Sequence, residues 1–241
     1  MERHWSYLPY TINAPSANRP IMHWDITVSE TLNCAECTPK SYDFSYHVGN
    51  SFWDVPVSNL FYKSVETIMH AEITGGCSPN LYCPLQNVTR EQMAKFICAA
   101  IEKKKTSACT TAACSNIFAD VPNGNIFCSY IEALYTNGIV SGCNTSPLLY
   151  CPLNNTLRQE MAKFICNTME AANVDYCTET TCDEIFADVP TSNPFCPDIE
   201  SLYYNNIVSG CSNSPMLYCP NNAVSREQMA KFLVLALEFS L

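Results

Sequence analysis

The chain has 241 residues, 47% of them hydrophobic, and a formal net charge of −10. That balance supports a buried core and argues against nucleic acid or an anionic membrane surface as partner, since both demand basic patches. No apolar run reaches the roughly 18 to 20 residues that span a bilayer.

Sixteen cysteines, an even count, point to disulfides and an oxidising, extracellular compartment. A zinc site would need several Cys-x-x-Cys pairs or Cys/His clusters. Cys34–Cys37 alone has that spacing, and the four histidines stop at His70. Cys34 and Cys37 read as a local pair, with a redox-active site as the weaker alternative. Residues 1–30 contain no apolar leader segment. An oxidised chain without one reads as a processed product or a piece of a longer secreted protein.

Residues 1–50 are rich in Thr, Val, Tyr and Trp with partial alternation, which predicts a strand or hairpin, the end of a preceding β domain. After them the sequence repeats. Phe-x-Asp-Val-Pro begins at Phe52, Phe118 and Phe186, and a Gly-Cys pair follows each Phe by 24 residues, at Gly76, Gly142 and Gly210. The units are 51–105, then 106–173 and 174–241, each of the last two with a linker at its start. Each predicts a Pro-restrained turn, a first helix, a Cys-bounded loop and a second helix. Ile131, Leu134 and Tyr135 form the apolar stripe of a first helix; Met93, Phe96, Ile97 and Ile101 form that of a second. Gly138 and Asn206 fall where a helix ends in a left-handed residue; Glu72 takes that place in the first repeat.

The second helix opens on a phrase written three times, "VTREQMAKF", "TLRQEMAKF" and "VSREQMAKF". Thr89 with Gln92 and Ser225 with Gln228 have capping-box spacing. In the middle copy Leu157 replaces the cap residue, and the cap is expected to shift to Thr156 with Gln159. The arginines, Arg90, Arg158 and Arg226, neither cap nor fit the apolar stripe. An arginine there opposes the helix dipole, so it asks for a carboxylate, from an acidic ligand or from Asp54, Asp120 or Asp188. Trp53, where the other copies have Ala119 and Ala187, suits sugar stacking or, more commonly, core packing.

These motifs, in this order and three times over, resemble a triplet of S-layer homology (SLH) domains across most of the chain. The Cys-rich version is similar to triplets at the C-termini of secreted bacterial proteins. The resemblance implies a mainly α fold, with three helix-loop-helix repeats in a pseudo-threefold prism. It implies anchoring to the cell envelope, with cell-wall polysaccharide bound in grooves between repeats and lined by the matching arginine. The runner-up is a structural module that assembles with itself or with other envelope proteins. Candidate ligand-binding residues are Arg90, Arg158, Arg226, Asp54, Asp120, Asp188, Glu91, Glu227, Trp53, Gly76, Gly142 and Gly210. No cofactor, metal or catalytic set is marked: no histidine follows residue 70, so no His-based site can recur in each repeat.

Within the loops, Cys77–Cys83, Cys143–Cys151 and Cys211–Cys219 pair by recurrence. At the junctions two pairings fit. One joins Cys98–Cys109, Cys114–Cys128, Cys166–Cys177 and Cys182–Cys196. The other joins Cys98–Cys128 and Cys109–Cys114, and likewise in the later copy. The resemblance to the Cys-rich triplets favours the first.

Overall fold

The computed structural model describes residues 23–32, 38–174, 177 and 181–239. Cys34 and Cys37, the expected local pair, lie outside them. The chain divides into two units, Met1–Ser51 and Phe52–Leu241.

The first unit contains an antiparallel ribbon of β1 (His23–Leu32) and β2 (Lys40–Gly49). Ile26 stands opposite Tyr46 and Val28 opposite Phe44, so alternation gathers apolar side chains on one face. The other face is polar: Ser29 Oγ donates to Asp43 Oδ1 at 2.6 Å, and His47 Nδ1 lies 2.8 Å from Asp25 Oδ1.

The second unit holds α1 (Tyr62–His70), α2 (Arg90–Lys104), α3 (Cys128–Thr136), α4 (Arg158–Ala171), α5 (Cys196–Tyr204) and α6 (Arg226–Ala236). Two short strand pairs sit in the longer Cys-bounded loops: β3 (Asn144–Thr145) with β4 (Leu148–Leu149), and β5 (Ser212–Asn213) with β6 (Met216–Leu217). The apolar stripes explain the helices. Met93, Phe96, Ile97 and Ile101 of α2 are all buried, as are Met161, Phe164, Ile165 and Met169 of α4. Each first helix ends beside a residue with positive φ: Glu72 (57°), Gly138 (72°) and Asn206 (58°).

Each second helix packs on the first helix of another repeat: α2 on α3, α4 on α5, and α6 back on α1. Three backbone bonds of 2.9 Å close a ring at the helix starts, from Val88 N to Val224 O, from Thr156 N to Val88 O, and from Val224 N to Thr156 O. The largest buried side chains are Tyr82, Tyr150 and Tyr218 with Phe52, Phe118 and Phe186. They meet as tilted pairs, with centroids 5.3–5.4 Å apart.

Disulfides close the loops at Cys77–Cys83, Cys143–Cys151 and Cys211–Cys219. The junction bonds are Cys98–Cys109, Cys114–Cys128, Cys166–Cys177 and Cys182–Cys196, the first of the two pairings that fit the sequence. A buried carboxylate from the first helix fastens each linker. Glu132 accepts from the amides of Ser115 and Ile117 at 2.8 and 2.9 Å, and Glu200 from those of Asp183 and Ile185 at 2.6 and 2.9 Å. This bonding makes a buried acid tolerable.

One cap differs from expectation. Thr89 and Ser225 cap α2 and α6 as capping boxes, but α4 starts after Leu157, not Thr156. Leucine offers no acceptor, so only half a box forms: the Leu157 amide donates to Glu160 at 2.9 Å. The Thr156 backbone is committed to the ring, and its buried hydroxyl has no partner.

Candidate functional site

The three arginines begin their helices, but their side chains leave for another repeat. Arg90 Nε donates to Tyr150 O at 2.9 Å, Arg158 Nε to Tyr218 O at 2.9 Å, and Arg226 Nε to Tyr82 O at 2.7 Å. The tyrosines return the contact. Tyr150 OH donates to Arg90 O at 3.0 Å, Tyr218 OH to Arg158 O at 3.0 Å, and Tyr82 OH to Arg226 O at 2.7 Å. Each guanidinium lies between two aromatic faces: Tyr150 and Phe164 for Arg90, Tyr218 and Phe232 for Arg158, Tyr82 and Phe96 for Arg226. Burial pushes the three phenols up, Tyr218 to about 12 and the other two further.

The expected aspartates do not meet the arginines as ion-pair partners. Asp54, Asp120 and Asp188 each use both carboxylate oxygens on backbone amides, 2.7–2.8 Å from those of Tyr82 and Cys83, Tyr150 and Cys151, and Tyr218 and Cys219. They hold the loop so that each tyrosine carbonyl faces its arginine. The carboxylate beside Arg90 is instead Glu160, at 3.4 Å. Glu91 accepts from Asn125 Nδ2 at 2.8 Å and Glu227 from Asn59 Nδ2 at 3.2 Å, again between repeats.

Gly142 and Gly210 are glycines because a backbone passes close by. A Cβ there would lie 2.5 Å from the carbonyl oxygens of Leu149 and Leu217. Gly76 adds a second reason, a φ of +92°. Trp53 does not join the core; it is 61% exposed, an open face at the edge of the first Cys-bounded loop.

The threefold recurrence breaks at one atom. Arg90 Nη2 donates to Ser141 O and Arg158 Nη2 to Ser209 O, both at 3.1 Å. Arg226 Nη2 is buried and has no partner. Gly75 stands at the matching position, followed by Gly76 in its left-handed conformation, and the Cys77–Cys83 loop spans 6 residues where the other two span 8. The link therefore turns differently and leaves a cavity of about 280 Å³ beside the guanidinium, with Lys95, Gln86 and Gln92 on its walls. Burial lowers the pKa of Arg226, and nearby Tyr82 and Asp54 pull it back up. Two cations, and no carboxylate, stand among the lining residues, a charge balance that suits an anion.

Residues 185–230 match the family model of the S-layer homology domain. The SLH segment carries Phe186, Asp188, the Gly210-Cys211 pair, Tyr218 and Arg226, so both the clasp on Arg158 and the arginine of the open cavity belong to it. No curated protein matches the chain. Seven disulfides among the described residues fit an oxidising environment, and no described helix is long and apolar enough to cross a membrane.

Sequence reasoning missed the tyrosines. Tyr82, Tyr150 and Tyr218 recur with the same regularity as the arginines, and that recurrence was the available signal. The lysine of Met-Ala-Lys-Phe recurs in the same way at Lys95, Lys163 and Lys231.

Proposed function

We propose that all three repeats are SLH repeats in a pseudo-threefold prism, and that the chain is a non-catalytic module anchoring its parent protein to the cell envelope. Its ligand is an acidic cell-wall polysaccharide, taken in the junction where the third repeat meets the first. The family match to the third repeat supports this, as do the clasps that recur at all three junctions. The observation that carries the ligand site is the unpartnered Nη2 of Arg226, buried beside a cavity with Lys95. A buried guanidinium donor left unmade is costly, and a carboxylate on the ligand satisfies it.

Sedimentation with purified sacculi or wall polysaccharide tests the proposal. Wild type co-sediments, Lys95→Ala weakens binding, and Arg226→Ala with Lys95→Ala abolishes it while the protein stays folded. Unchanged binding by the double variant ends the assignment. A second reading has its own observation: Leu60, Leu85, Ile126 and Leu153 are each 75–87% exposed, apolar side chains that self-association would cover. Concentration-dependent assembly, without glycan binding, would select it.

A further inference from the structure

The lysine of Met-Ala-Lys-Phe has a different environment in each copy. Lys95 lines the Arg226 cavity, Lys163 pairs with Asp198 at 3.3 Å, and Lys231 lines another cavity, of about 340 Å³. That second cavity is built wholly within the last repeat, by the end of α5, the following link and α6. Tyr203, Tyr204, Asn206, Ser209 and Lys231 contribute to its walls.

Tyr204 stands where the other first helices have Thr136 and His70, so its ring is peculiar to this repeat. It is 52% exposed, yet it is held: its hydroxyl donates to Asp183 Oδ2 at 3.0 Å, and Tyr203 lies beside it at 6.1 Å. Tyr203 is itself braced edge-on against Phe186 at 5.3 Å. The link backbone is fixed from behind, where Arg158 Nη2 holds Ser209 O and the Ile207 amide donates to Leu202 O. The exposed groups of Asn206, Ser209 and Lys231 are then offered beside a half-open aromatic face.

We infer that this cavity is a second sugar subsite, distinct from the Arg226 cavity, that takes one acidic hexopyranose unit. The polarised C–H face of a pyranose packs on an aromatic ring, and a rigid ring loses little entropy in binding it. The carboxamide and hydroxyl suit sugar hydroxyls, and the ammonium selects a carboxyl-bearing sugar over a neutral one; the Asp183 carboxylate nearby is engaged by the Tyr204 hydroxyl.

Saturation-transfer NMR on the full chain, with D-glucuronate and D-glucose as probes, tests the subsite. Glucuronate is expected to receive saturation at its ring C–H protons and to bind more tightly than glucose. With Arg226→Ala as the background, so that the other cavity no longer contributes, glucuronate still binds; adding Tyr204→Ala weakens that binding by about fivefold or more, whereas adding Tyr204→Phe leaves it intact. Lys231→Gln in the same background removes the preference for glucuronate. Thermal melts confirm that the Tyr204 variants fold. Absence of transfer to either sugar overturns the inference, as does binding in that background that Tyr204→Ala leaves unchanged. Loss of binding in Arg226→Ala assigns the signal to the other cavity and overturns it too. A preference that survives Lys231→Gln overturns the acidic assignment.

Discussion

Arg90 and Tyr150 hold each other's backbone: the guanidinium Nε donates to the tyrosine carbonyl at 2.9 Å while the phenol donates to the arginine carbonyl at 3.0 Å. The pair is a two-point clasp between repeats, and Arg90 adds Ser141 O and Glu160. Arg90→Ala strands the buried Tyr150 carbonyl and removes the partly buried contacts to Ser141 O and Glu160, so a loss of about 2–3 kcal/mol is expected in urea unfolding. Arg226→Ala removes one Nε bond and a donor that has no partner. Its loss should be smaller, about 1–2 kcal/mol. Equal losses in the two variants would mean that the third clasp is as fully engaged as the first.

The clasp tyrosines set an alkaline limit. Burial holds Tyr218 at about 12 and Tyr82 and Tyr150 higher, against about 10 in an unfolded chain. Below about pH 10 both states keep the phenol proton, and the full stability is present. Above it the unfolded chain releases protons that the folded chain retains, so stability falls as pH rises from about 10 to about 12. Phenolate absorbance should therefore show these three tyrosines ionising together with the loss of helical circular dichroism. Their ionisation in a chain that keeps its helices would contradict the clasp.

Glycine positions in this protein differ sharply in what they tolerate. A Cβ at Gly142 would sit 2.5 Å from Leu149 O, whereas one at Gly124 meets nothing within 4 Å. Gly142→Ala should cost roughly 2–3 kcal/mol because the contact is with backbone, which cannot rotate away. Gly124→Ala should stay within about 0.5 kcal/mol of wild type. Thermal denaturation of the two variants measures the contrast, and similar melting points would refute it.

The apolar stripes, the left-handed ends at Gly138 and Asn206, and the loop cysteines were legible because each is local: spacing within one element determines it. The roles of Asp120 and Arg90 were not. Their charges suggest ionic partners, but Asp120 binds backbone amides and Arg90 binds, besides Glu160, backbone carbonyls, groups that every residue carries and no motif announces. Arg90 and Tyr150 lie 60 positions apart, and Tyr82 and Arg226 lie 144 apart. Only the closed arrangement of repeats brings them together. Of the two readings open for Trp53, core packing is excluded by its exposure; hydrophobicity favours burial on average and says nothing of which loop edge carries the ring. The open cavity arose from a two-residue difference in loop length and a Gly-Gly pair. Both are visible in the sequence, but their effect on one guanidinium nitrogen is not.

The return of α6 onto α1 also governs the order in which this chain can acquire its structure. Val88 waits for Val224, and the Tyr82 hydroxyl waits for Arg226. The first repeat, synthesised earliest, is thus completed last, by contacts of the greatest sequence separation, which are the slowest to form. A chain stopped after the second repeat would expose the unfinished edges of both repeats, a strong disposition to aggregate before it could function.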